Sequence, residues 1–144
     1  MMAKQLLPTF LGGVISYDDY NRWLEGKAKS HVIRDRKRGF RDTSVSGYIS
    51  DIHDAVLESG GCDFYTGEEL DWSLLAVTYD AKDRRRFAMR PTVDHIDPSR
   101  GKADFAICGQ RTNMCKSYLT VDELAQFCVT FLRAQGRLPT GVQD

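Results

Sequence analysis

The run Val93-Asp94-His95-Ile96-Asp97-Pro98 sets a carboxylate beside an imidazole at the end of an apolar stretch. Asn113 follows eighteen residues after His95, and Lys116 lies three residues further on. An aspartate and an asparagine offer hard oxygen donors, which suit a divalent cation such as Mg²⁺ that keeps several of its waters. An imidazole titrates near neutrality, so it can take a proton from water without special tuning. These are the parts that a one-metal hydrolase of phosphodiesters needs.

The elements that must position these residues are readable from periodicity. Phe87 to Val93 predicts a strand that delivers Asp94 and His95 at its end. Ser99-Arg100-Gly101-Lys102 predicts a turn, Phe105 to Cys108 a second strand, and Gln110 to Ser117 a short helix carrying Asn113 and Lys116. Upstream, Ser16 with Asp19 reads as a helix start. Tyr20, Trp23, Leu24 and Ala28 fall on one face of a helix from Tyr17 to about Arg38, which Gly39 stops. Thr43 or Ser44 caps a second helix with Val45, Tyr48, Ile49, Ile52, Val56 and Leu57 at helical spacing, ended by Gly60-Gly61. Thr120 with Glu123 opens a last helix containing Leu124, Phe127, Cys128, Phe131 and Leu132. Asp71 to Leu75 reads as a short helix or strand, and Tyr79 to Arg86 as an exposed polar loop. The expected organisation is an irregular arm over 1–15, a helical basic region over 16–60, a compact unit over 61–136 and a loose tail over 137–144, together one domain.

Twenty Lys and Arg balance twenty Asp and Glu, so net charge argues against nucleic acid as a partner, but the charges are segregated. Lys27, Lys29, Arg34, Arg36, Lys37, Arg38 and Arg41 crowd one segment opposed only by Asp35, seven basic against one acidic. Arg84, Arg85, Arg86 and Arg90 form a second basic group, whereas the acids gather between Asp51 and Asp71. Such a dipole suits a protein that shows one face to a polyanion. The plain alternative is a solvated helix face. His31 sits in the basic stretch and is a candidate phosphate contact, and His53 reads as an ordinary helix residue.

No apolar run is long enough to span a bilayer. Leu6 to Ile15 follows Lys4, but Pro8 interrupts it and Tyr17-Asp18-Asp19-Tyr20 replaces a small-residue cleavage site, so export is not expected. Cys62, Cys108, Cys115 and Cys128 lack C-x-x-C spacing. They are expected to be reduced, mostly buried thiols of a cytoplasmic protein, without structural zinc.

The segment from Cys62 to Phe127 resembles an HNH-type nuclease domain, the ββα-metal fold. The matching residues are Tyr65-Thr66-Gly67 with Leu70, Asp94-His95-Ile96 with Pro98, Asp104, Asn113 with Lys116, and Leu119-Thr120 with Glu123. The resemblance implies an α+β chain in which a treble-clef-like ββα-metal unit packs with two N-terminal helices and is closed by a C-terminal helix. It implies His95 as general base, Asp94 and Asn113 as ligands of one Mg²⁺ or Mn²⁺, and Lys116 and Arg111 as phosphate contacts. Asp104 stands where the family has an asparagine that fixes the histidine. An aspartate can still accept a hydrogen bond from the ring, and it stabilises the protonated form by charge proximity. Tyr65 replaces a cysteine of the zinc-knuckle relatives, so Phe64, Trp72, Leu74, Phe105, Phe127 and Phe131 are expected to hold the unit together by packing.

Each residue alone has a plain reading: a surface turn for Asp94-His95, a cap for Asn113, a solvated side chain for Lys116. Their joint spacing favours the site. The expected activity is metal-dependent endonucleolytic hydrolysis, of DNA in the first place, with the basic segment gripping phosphates and no membrane involved. Cutting both strands would call for a homodimer. The rivals are a nucleic-acid-binding module that keeps the fold without turnover, made credible by Asp104, and a protein-interaction subunit, made credible by the balanced charge.

Overall fold

The computed structural model describes residues 3–97, 104–139 and 141. It is a mixed α+β chain. In order, the elements are helix α1 (Tyr17–Lys37), helix α2 (Val45–Ser59), strand β1 (Pro91–His95), strand β2 (Phe105–Gly109), helix α3 (Gln110–Lys116) and helix α4 (Val121–Ala134), with short 3₁₀ turns at Thr9–Leu11 and Trp72–Ala76. Pro98 and the expected turn Ser99–Lys102 lie outside the described residues, as does most of the end of the expected tail.

Both long helices start where the capping residues place them. The Ser16 hydroxyl accepts from the Asp19 amide, and Ser44, rather than Thr43, accepts from the Gly47 amide. Gly60 ends α2 in the left-handed conformation, where a side chain is disfavoured. Tyr20, Trp23, Leu24, Ala28 and Val32 of α1 pack against Tyr48, Ile49, Ile52 and Val56 of α2, with Val93 and Ile107 of the strands closing the same core. Leu57, expected on that face, is half exposed.

β1 and β2 pair antiparallel, with Val93 opposite Ile107, Asp94 opposite Ala106 and His95 opposite Phe105. The strand begins at Pro91, not at Phe87. Residues 87–89 form turns instead, and Phe87 reaches the interior from there. Asp94 and His95 are therefore the last two strand residues and leave the sheet on opposite faces.

Packing differs from expectation outside the two long helices. The arm before α1, expected to be irregular, is packed onto the fold: Leu11 and Ile15 are buried, and Phe10 meets Trp72 edge to face at 5.9 Å. The C-terminal helix does not close the unit. α4 has the reciprocal Thr120–Glu123 capping box, yet none of its residues is buried, and Phe127 and Phe131 are more than half exposed. Phe64 is exposed as well, so of the expected packing residues only Trp72 and Leu74 are buried, with Phe105 partly so. Of the four free cysteines Cys108 alone is buried, and Cys115 and Cys128 are exposed on α3 and α4. Among the described residues no helix is long and apolar enough to cross a membrane.

Candidate active site

Asp94, His95 and Asn113 line one cleft of about 380 Å³, together with Arg34 and Arg38 of α1 and Ser117 and Tyr118 beyond α3. β1 supplies the first two residues at its end. β2 turns directly into α3, and that short helix brings Asn113 to the same opening. The turn is fixed from below by buried Asp63. Its Oδ2 accepts from the Gly109 amide at 2.8 Å, and its Oδ1 accepts from the amides of Tyr65 and Thr66. The Thr66-Gly67 turn is thus tied to the β2–α3 junction by one carboxylate. Ser117, on the rim, has φ 47°, the only non-glycine with positive φ among the described residues; strain of that kind gathers at functional sites.

His95 is buried and held at both nitrogens. Nδ1 lies 3.0 Å from Asp104 Oδ1, and Nε2 lies 3.1 Å from Asp35 Oδ2. Tyr48 donates its hydroxyl to the same Asp35 oxygen at 2.5 Å. A second Asp104 oxygen accepts from the Asp97 amide, so Asp104 also fixes the loop after the strand. A carboxylate can only accept when ionised, so whichever ring nitrogen of His95 carries a proton has an acceptor within reach. Burial, and then the bond to Asp35, raise the Tyr48 hydroxyl far above its ordinary value, so it remains a donor. Phe105 lies against the His95 ring, and His31 stands edge-on to it at 5.1 Å.

Asp94 leaves the opposite face of the strand. Its Oδ2 accepts from the Tyr65 hydroxyl at 2.7 Å and pairs with the Lys116 ammonium at 3.0 Å. Lys116 is fully buried and also donates to the His95 carbonyl. It therefore neutralises Asp94 from within the fold and has no surface on which to meet a phosphate. Burial, and then the bond to Asp94, push the Tyr65 hydroxyl far up. Asn113 is half-buried, and its side chain makes no hydrogen bond among the described residues. The donors that suit a hard cation are thus Asp94 and Asn113, two protein oxygens of the kind that leave room for several waters. No group of three or more His, Cys, Asp or Glu side chains is arranged around a metal among the described residues.

The basic run divides by helix face. Arg34 and Arg38 reach the cleft. Lys27 turns inward and donates to Thr92 Oγ1 at 2.9 Å. Lys29 pairs with Glu25, and Arg36 donates to the Thr43 carbonyl. Lys37 and Arg41 are exposed away from the cleft. Arg111 is exposed and pairs with Glu68. His31 is not a phosphate contact. It is buried and donates from Nε2 to the Val93 carbonyl at 3.1 Å. Burial, and then the Arg34 charge, depress it to about 3, so it is neutral. His53 accepts from or donates to the Tyr20 hydroxyl at 2.7 Å, away from the cleft.

Asp35, Tyr48 and Asp63 are residues that motif spacing did not mark, and Tyr65 was marked only within the Tyr65-Thr66-Gly67 match, not as a partner of Asp94. Asp35 carried a signal. It follows Leu24, Ala28, His31 and Val32 at helical spacing and so falls on the buried face of α1, where an acid needs a partner. The other three depend on contacts between distant segments. Comparison of the chain with protein-family models, with curated proteins and with solved structures finds no match.

Proposed function

We propose that the chain is a metal-dependent endonuclease of the HNH type, a ββα-metal unit that hydrolyses phosphodiester bonds, of DNA in the first place. The observation that supports this reading most is that Asp94, His95 and Asn113, separated by eighteen residues of sequence, line one cleft with two arginines at its edge. Asp94 and Asn113 are the residues to hold one Mg²⁺ or Mn²⁺. When bound, the cation supplies charge neutralisation at phosphorus and at the leaving oxygen.

The chain's own residues do the rest. Arg34 and Arg38 draw the phosphate to the cleft and orient it. Lys116 and Tyr65 fix the Asp94 carboxylate from behind. Asp104 holds Nδ1 of His95 and so sets the ring's direction. For His95 to take a proton from water, Nε2 must carry no proton of its own and must be freed from Asp35. Arg34 immediately precedes Asp35 on α1 and Arg38, the residue that caps the helix, follows it by three, so a phosphate bound between the two arginines pulls on the segment that carries Asp35.

A second reading has its own observation. Both nitrogens of His95 and one oxygen of Asp94 are already engaged by side chains, an arrangement that also suits a binding module without turnover. One assay separates the two. Supercoiled plasmid incubated with wild type or His95→Ala, in Mg²⁺, Mn²⁺ or EDTA, is expected to be nicked or linearised only by wild type with metal. No cleavage of plasmid, single-stranded DNA or RNA, with binding retained, would replace the nuclease by the binding module.

A further inference from the structure

A second cleft of about 380 Å³ opens on the same side of α1, toward its N-terminal end. Arg22, Trp23, Lys27 and Ser30 of α1 line it, together with Arg90, which precedes β1. Asp19 is the one carboxylate on its wall, and it is paired with Arg22 at 2.9 Å. Lys27 and Arg90 have no carboxylate partner there. Lys27 spends its hydrogen bond on the Thr92 hydroxyl, and the Arg90 guanidinium lies over the Tyr79 ring at 5.6 Å. Two of the lining residues also carry a nitrogen without an acceptor among the described residues, Trp23 Nε1 and Arg90 Nε, both closed off beneath the surface of the cleft. Like charges brought together without an acid repel, and buried donors without acceptors cost free energy. Lys27 bears the consequence: burial, and then the charges of Arg90 and Arg34, lower it to about 8. A wall of donors and cations is the inverse of a carboxylate-lined metal site and fits a compact anion with several acceptor oxygens.

The cleft is separate from the candidate active site and shares no lining residue with it, but α1 runs past both. Lys27, Ser30, Arg34 and Arg38 follow at intervals of three or four residues and so share one stripe. Lys27 to Arg34 rises about 10 Å and Lys27 to Arg38 about 16 Å. With α1 laid along the axis of a B-form duplex, where a strand advances about 3.4 Å per phosphate, these rises match about three to five phosphates.

We propose that the Arg22–Lys27–Ser30–Arg90 cleft is a phosphate subsite that holds a backbone phosphodiester of the nucleic acid about three to five nucleotides from the bond placed at Asp94, His95 and Asn113. This rests on the nuclease or binding-module reading for its ligand, but the cleft itself is defined independently of that reading. It gives the basic stripe a direction, from a fixed grip at one end to the reacting phosphate at the other.

The test uses the full chain and a 12-nucleotide duplex with metal withheld, so that cleavage does not intervene. Binding is measured against salt for wild type, Lys27→Gln, Arg90→Gln and Ser30→Glu. Ser30 is exposed, so its glutamate adds a charge to the cleft without disturbing the core and remains informative should the Arg90 variant fold poorly. Each Gln variant is expected to lower the salt slope by about one, and Ser30→Glu to weaken binding at least tenfold at low salt. Neutral methylphosphonate linkages, moved one position at a time, should weaken wild type at one position and leave Ser30→Glu insensitive there. Inorganic phosphate should perturb Trp23 fluorescence in wild type and not in Arg90→Gln. Nucleic-acid binding with an unchanged slope and unchanged affinity in Ser30→Glu would overturn the subsite while leaving the nuclease reading intact. A fluorescence response to inorganic phosphate in a wild type that binds no nucleic acid at low salt would overturn the assigned ligand and the functional reading together.

Discussion

The two faces of α1 treat charge in opposite ways. On the inner face His31 is kept neutral, Asp35 is buried against His95 and Tyr48, and Lys27 is tied to Thr92. On the outer face Lys29 pairs with Glu25 in solvent, and Lys37 is exposed as well. The same basic run thus contains groups built into a polar network beside a cleft and groups that only decorate a surface. Ionisable side chains that leave water need partners, and a helix that buries several of them beside a concave site is organised around that site. Arg34 and Arg38 lie between the two regimes, exposed yet on the cleft wall.

The contrast can be broken most forcefully at Asp35. Asp35→Ala leaves the His95 ring and the Tyr48 hydroxyl facing a void, and each buried polar group left without its partner costs about 1–3 kcal/mol. Urea denaturation should show that loss, and a change below 1 kcal/mol would mean that the buried network is not what holds α1 on the strands. At His31 the expected effect depends on pH. Its value is about 3 in the fold against an ordinary 6.5, so between these pH values the unfolded chain binds the proton and the folded chain does not. Stability therefore falls as pH drops from about 6.5 toward 3. His31→Gln should flatten that limb of the urea midpoint against pH, and a limb of unchanged slope would remove His31 as its source. The smallest effect belongs to the outer face. Lys29→Gln with Lys37→Gln should change stability by less than about 0.5 kcal/mol. The pair should also weaken DNA binding much less than Arg34→Gln with Arg38→Gln, and equal losses from the two pairs would erase the distinction between the faces.

Much of the architecture was legible in the sequence because it is local. Ser16, Ser44 and Thr120 carry capping chemistry, Gly39 and Gly60 end helices, and the apolar spacing of α1 and α2 gives their buried faces. The strand–strand–helix order and the meeting of Asp94, His95 and Asn113 followed from spacing. What could not be read was which charges the fold would bury. Lys116 has the same sequence appearance as a surface lysine, and only the approach of Tyr65 and Asp94 from other segments makes it internal. α4 misled in the opposite sense: its capping box and its Leu124–Phe127–Phe131 spacing describe a core helix, yet none of its residues is buried and Phe127 and Phe131 are more than half exposed. Periodicity fixes which face of a helix is apolar, not whether anything covers it.

The most direct measurement is the rate of plasmid nicking against Mg²⁺ concentration for wild type, Asp94→Asn and Asn113→Ala. The expected result is saturable metal dependence in wild type, with both variants slowed by at least about 100-fold and shifted to higher metal. Nicking by either variant at the wild-type rate and metal dependence would contradict the assignment of the Asp94–Asn113 cleft as the nuclease site.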